Sequence, residues 1–88
     1  MATITNPKNG GLFSGQAKIV EDVVTDTGTI QKGFRSAAFY NAGAAAATVN
    51  GETLQVGVSK TYPWTGYNYE DEIAYIATGT TINILVIY

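Results

Sequence analysis

The 88-residue chain has no cysteine and no histidine. The first absence excludes disulfides, thiolate nucleophiles and thiolate metal sites; the second removes the side chain that most often moves protons near neutral pH. Charge is scarce as well. Asp, Glu, Lys and Arg make up 14% of the residues, against roughly 25% in ordinary soluble domains. The five cations stand apart at positions 8, 18, 32, 35 and 60. With a net charge of −2 and no basic cluster, no nucleic-acid partner is expected, because phosphate recognition needs grouped Lys and Arg. Long apolar runs are missing too: the longest, Ile84 to Tyr88, falls far short of the ~20 residues that span a bilayer, so no membrane partner is expected. The opening Met1-Ala-Thr-Ile-Thr-Asn-Pro-Lys8 shows no basic start followed by an apolar stretch, which predicts synthesis and folding in a cytoplasm.

What the chain has instead is neutral surface, with twelve threonines and a hydrophobic content of 45%. A surface so poor in charge is expected to be partly covered in the working state. The length suits one domain whose stability is modest, since a chain of this size buries only about two-thirds of its unfolded surface. Nothing staples it, so its core holds the fold alone or shares the task with neighbouring subunits.

Residues 1–15 differ from the rest. Asn6-Pro7-Lys8-Asn9-Gly10-Gly11 gathers turn formers, and Leu12-Phe13 is an isolated apolar pair before Ser14-Gly15. This reads as an extended N-terminal arm that docks Leu12 and Phe13 on a partner or a neighbouring subunit; a plain loop is the simpler alternative. From residue 16 to 88 a single domain follows. Ile19, Val20, Val23 and Val24 recur at helical spacing, but nine residues between Gly15 and the breaker Thr25-Asp26-Thr27-Gly28 leave little room, and β-branched side chains favour a strand.

Short strands then succeed one another. Thr29 to Lys32 is a candidate ended by Gly33, and Phe34 to Asn41 alternates so that Phe34, Ser36, Ala38 and Tyr40 share one face. Asn41-Ala42-Gly43 reads as a turn, and the four alanines from 44 to 47 are too few to nucleate a helix. Asn50-Gly51 between Thr48-Val49 and Glu52-Thr53-Leu54 is the strongest local signal, because a type I′ hairpin needs positive φ at both positions. Leu54, Val56 and Val58 are expected to line one face of the returning strand. Asp71 to Ala77 alternates again, Thr78-Gly79-Thr80 turns, and the closing strand is apolar on both faces: Ile82, Ile84, Val86 and Tyr88 on one, Leu85 and Ile87 on the other. Such a run aggregates at an open edge, so it belongs in the middle of a sheet with both faces covered. Six to eight strands of this kind predict an all-β fold, a small antiparallel β-sandwich or barrel.

Chemistry is thinly represented. Carboxylates occur at Glu21-Asp22, Asp26, Glu52 and Glu70-Asp71-Glu72, and on a strand Asn68, Glu70 and Glu72 would offer oxygens to Ca²⁺. Charges beside the apolar run from Ile73 to Ala77 are more simply a solubility guard. No nucleophile pairs with a base and no glycine spacing forms a phosphate loop, so the chain is expected to be no enzyme and to use no cofactor or metal. Tyr62, Trp64, Tyr67 and Tyr69, punctuated by Pro63 and Gly66, are too many rings for one small core. They form a loop or edge strand with exposed rings. One use is a platform on which sugar rings stack, with Asn68 and Asp71 reaching hydroxyls; another is a subunit contact with Trp64 folded back as a core plug.

The segments Phe39-Tyr-Asn-Ala-Gly43, Thr48-Val-Asn-Gly51, Leu54, Gly57, Ser59, Pro63 and Ala77-Thr-Gly-Thr-Thr-Ile-Asn-Ile84 resemble the small β modules of tailed-bacteriophage virion proteins, over about residues 34–88. They are similar in particular to head-decoration proteins. That resemblance implies a compact sandwich with an N-terminal arm, located in the virion, self-associating as a homo-oligomer (commonly a trimer) and bound to the major capsid protein or another virion protein. No binding residue transfers by position. The contact residues expected here are Leu12 and Phe13 on the arm and Tyr62, Trp64, Tyr67 and Tyr69, with host attachment through a glycan as the alternative role.

Overall fold

Period-two alternation of β-branched side chains is realised, among the described residues, as nine strands in two facing sheets. The computed structural model describes residues 2–7 and 17–88, and every regular element among them is a strand. In chain order these are β1 (Ala2–Ile4), β2 (Ile19–Val24), β3 (Thr27–Ile30), β4 (Ser36–Asn41), β5 (Ala47–Val49), β6 (Glu52–Leu54), β7 (Ser59–Tyr62), β8 (Ile73–Ile76) and β9 (Ile82–Ile87). The first sheet runs β1-β3-β8-β5-β6 and the second β2-β9-β4-β7. Their inner faces enclose one core, so the all-β sandwich expected from the sequence is the fold.

The closing strand lies where its hydrophobicity requires. β9 is bonded to β2 on one side and β4 on the other, and Ile82, Ile84, Val86 and Tyr88 are buried. Its other face departs from expectation: Leu85 is 39% exposed. Cover on that face does not come from the described residues. Segment 19–24 is the strand its valines favour, with Val20 and Val24 turned to the core and Ile19 and Val23 turned out.

The Asn50-Gly51 hairpin forms as read. Asn50 has φ 51° and Gly51 φ 78°, and β5 pairs with β6 in the register Val49 to Glu52. The returning strand is shorter than its alternation suggests. It ends at Leu54, Gly57 takes φ 78°, and Val56 and Val58 are exposed instead of lining a face with Leu54. A positive φ turns the chain out of the first sheet, and it enters the second at Ser59. Alternation likewise fails at Phe34. β4 begins at Ser36, so Phe34 lies ahead of the strand and is fully buried, away from Ser36, Ala38 and Tyr40.

The expected arm from 1 to 15 needs correction at its start. Ala2–Ile4 is a strand, paired parallel with β3, and Ile4 is in the core. A three-residue strand is recognisable only beside its partner, and the neighbour that gives it away is 26 residues distant in sequence, as Thr3 to Thr29. This pair also makes the first sheet mixed, the other pairings being antiparallel. Leu12 and Phe13 lie outside the described residues.

Asn41 is the polar centre of the molecule. Fully buried, it donates from Nδ2 to the carbonyls of Ala45 (2.8 Å) and Leu54 (2.9 Å), while Oδ1 accepts from the Gly43 N–H (3.1 Å) and the Thr80 hydroxyl (2.8 Å). All four hydrogen-bonding capacities of the amide are used, which is the condition for burying it. The tight crossing also fixes Gly43, where a Cβ would overlap Thr80 Oγ1 and the Thr81 nitrogen.

Candidate interaction surfaces

Among the described residues, exposed apolar side chains occur at Val56 and Val58 between β6 and β7, at Ile76 on β8, and in two larger groups. The first is the aromatic loop. Its base is held by backbone bonds from the Gly33 N–H to the Tyr69 carbonyl and from the Tyr69 N–H to the Phe34 carbonyl, both 2.8 Å. The Tyr69 hydroxyl donates to the Pro63 carbonyl at 2.7 Å, and Gly66 at φ 98° reverses the chain between them. The four rings divide into two pairs. Tyr69 stacks on Phe34 with centroids 4.7 Å apart, and Tyr62 meets both Phe39 and Tyr69 edge to face at 6.1 and 6.0 Å. Their faces are occupied by the core, so a four-ring platform is not what the fold presents. Trp64 and Tyr67 remain outside, Tyr67 at 81% exposure. Trp64 is therefore not a core plug; the Arg35 guanidinium lies 5.6 Å from its ring centroid, within cation–π range.

The second surface is the outer face of the β2-β9-β4-β7 sheet. Strand parity sends Ile19, Glu21 and Val23 outward on β2, Asn83, Leu85 and Ile87 on β9, Ser36, Ala38 and Tyr40 on β4, and Ser59 and Thr61 on β7. Ile19 (68%), Val23 (64%), Tyr40 and Leu85 are exposed. A depression of about 720 Å³ sits in the middle, bordered by Glu21, Val23, Ala38, Tyr40, Thr61 and Leu85 among others. Glu21 is the one charged side chain turned outward by these strands. The sequence already held the signal for this face. Ile19 and Val23 share parity, and the second apolar side of the closing strand was recognisable; their juxtaposition depends on β9 pairing with both β2 and β4.

The carboxylates are dispersed by the fold. Glu52 pairs with Lys60 at 3.2 Å, and Lys60 also lies 5.4 Å from the Tyr62 ring centroid. Asp26 Oδ1 accepts from the Thr27 N–H at 2.8 Å. Glu70, Asp71 and Glu72 are exposed beside Gln31 and Lys32 around a small hollow. Among the described residues no group of three or more carboxylates has a metal-holding arrangement. Two buried phenols are shifted. Burial pushes Tyr88 up to about 12, and burial followed by the nearby charges of Asp22 and Asp26 raises Tyr75. The Tyr88 hydroxyl donates to the Gln31 carbonyl at 2.8 Å, whereas the Tyr75 hydroxyl has no hydrogen-bond partner among the described residues.

Comparison with family models, with curated proteins and with solved structures finds no match for this chain.

Proposed function

We propose that this protein is a non-enzymatic structural component of a virus particle, a capsid decoration or accessory protein that self-associates and binds the capsid surface. The observation that carries the reading is the outer face of the second sheet, where Ile19, Val23, Tyr40 and Leu85 are exposed around a single carboxylate. Isolated surface apolar residues need no explanation, but a contiguous patch marks a contact. A few hundred Å² of apolar area at roughly 25 cal/mol/Å² gives a gross gain of about 10 kcal/mol, and association costs about 4–15 kcal/mol. One contact alone is weak. A lattice that engages many copies at once multiplies it, which suits a decoration role. Leu12 and Phe13 on the segment between β1 and β2 supply a second grip in this proposal.

The test is to mix the purified protein with capsids that lack it and measure co-sedimentation. The wild type should sediment with capsids at micromolar concentration, and the double variant Leu12→Ser/Phe13→Ser should fold normally and be retained less. Absence from purified particles together with no co-sedimentation would refute the assignment. Removing residues 1–15 outright is a poor test, because it deletes β1 and the buried Ile4.

A second reading is favoured by one feature, the paired exposure of Trp64 and Tyr67 on a loop anchored at its base. Exposed rings there suit the apolar face of a sugar, with Asn68 and Asp71, which border a neighbouring hollow with Gln31 and Lys32, as the candidates for its hydroxyls. Under that reading Trp64→Ala abolishes retention on a glycan array and leaves assembly intact; a wild-type chain that retains no glycan removes it.

A further inference from the structure

The outer face of the second sheet is ordered in rows. Strand registers set Glu21, Leu85, Ala38 and Thr61 side by side across β2, β9, β4 and β7, with Val23, Asn83, Tyr40 and Ser59 in the next row. In the first row an acid stands at one end and a hydroxyl at the other, and between them a large side chain adjoins a small one. Ala38 and Leu85 both border the central depression.

We infer that the occupant of this face is a second copy of the chain, laid face to face about a two-fold axis that runs between the two sheets along the strand direction. The inference rests on the self-association in the proposed function and not on the particle. Such an axis sets every row against its own reverse. Leu85 then fills the space over the partner's Ala38, and the reciprocal contact forms by symmetry. Glu21 meets the hydroxyl of the partner's Thr61, and Asn83 faces the phenol of the partner's Tyr40, each an acceptor with a donor. The other face-to-face two-fold, directed across the strands, sets Glu21 on Glu21 and Leu85 on Leu85 when it passes through this row, where like charges and bulky groups collide. When it passes between the rows it sets Glu21 on Val23 and Leu85 on Asn83, leaving the carboxylate without a donor. Both outcomes select the first arrangement.

Area agrees with a reversible pair. Four strands ~4.8 Å apart and six residues at ~3.4 Å each make a face of roughly 400 Å² in projection, and side-chain relief brings the accessible area to on the order of 600 Å² per copy, the lower limit for specific pairs. A closed two-fold yields even-numbered assemblies, in place of the trimer implied by the family resemblance.

Sedimentation of the full chain from about 10 µM to about 1 mM, a range that spans weak association, tests the pairing. The wild type should pass from monomer to dimer. Leu85→Ala leaves the hole unfilled and Ala38→Leu sets knob against knob; each should weaken the dimer about tenfold or more. The double variant Leu85→Ala/Ala38→Leu exchanges knob and hole and should recover the wild-type constant to within about threefold, a coupling that independent sites do not show. Circular dichroism of each variant confirms folding. A chain that stays monomeric throughout, forms only trimers, or is not rescued in the double variant overturns the inference. Capsid binding by a monomeric chain would sink the pairing and the self-association and leave the capsid assignment standing; the rescued dimer without any capsid binding would do the reverse.

Discussion

The two outer faces of the sandwich are built on the same backbone geometry and finished differently. On the first sheet, Thr3, Thr29 and Ala74 form one cross-strand row and Thr27, Ile76, Thr48 and Thr53 another, with the Thr3 and Thr29 hydroxyls 3.2 Å apart. On the second sheet the corresponding rows carry Ile19, Val23, Leu85 and Tyr40. Threonine and valine are nearly the same shape and equally at home in a strand. What distinguishes the faces is therefore chiefly affinity for water. Ile76 is the large apolar side chain exposed on the strands of the first, whereas Ile19, Val23, Tyr40 and Leu85 are exposed on the second beside Asn83, Ser59 and Thr61. In the proposed function that second side faces a partner.

If the difference concerns partners and not stability, interior changes should unfold the protein while face changes should not. Asn41→Ala should be the most damaging, lowering the unfolding free energy by about 3 kcal/mol or more in urea titrations, because it leaves carbonyl, amide and hydroxyl groups unmatched on β6 and on the connections beside it. Converting the second face to the character of the first, with Ile19→Thr, Val23→Thr and Leu85→Thr together, should shift that free energy by less than about 1 kcal/mol. The same triple change should reduce binding of a hydrophobic dye and weaken self-association about tenfold. Unchanged dye binding would erase the contrast between the faces.

Alkaline titration sharpens the comparison inside the sheets. A phenol whose folded pKa is pushed from 10.0 up to about 12 contributes fully to stability below pH 10. As pH rises from there towards 12 the unfolded chain releases its proton first and the contribution is lost. Stability should fall across that window, and Tyr88→Phe should flatten the fall while costing about 1 kcal/mol at pH 7 through the lost bond to Gln31. Tyr75→Phe should have the smallest effect, within about 0.5 kcal/mol of wild type or slightly stabilising, since its hydroxyl has no partner among the described residues to forfeit.

What the sequence disclosed was what local rules govern. Asn50-Gly51 announces its hairpin because positive φ at two successive residues is a requirement of the turn itself, and β9 announces its central place because its inner and outer sides are both apolar. What it concealed depends on distant partners. Ala2–Ile4 is too short to stand out from a loop without β3 beside it. Gly57 passes for a strand residue until the chain is seen leaving one sheet for the other. Asn41 has the composition of a turn, and only the approach of Ala45, Leu54 and Thr80 makes it a hub. Among the candidate contacts, the separation of Tyr62 and Tyr69 from Trp64 and Tyr67 turns on Phe34 leaving its strand. The exposed face is half legible: its apolar residues stand out strand by strand, whereas their alignment depends on β9 pairing with both β2 and β4.

The position of β9 has a consequence for how the chain comes to be. It is the last in chain order of the strands among the described residues and the one between β2 and β4, so until residues 82–87 leave the ribosome β4 has only β7 to pair with and β2 has no partner. The second sheet cannot assemble from its amino end in step with translation; β4 and β7 can pair early, but β2 waits for β9. A nascent chain in that interval holds its valines and isoleucines open to whatever is near, and a chaperone that shelters them until the final strand emerges would raise yield more than any single stabilising substitution.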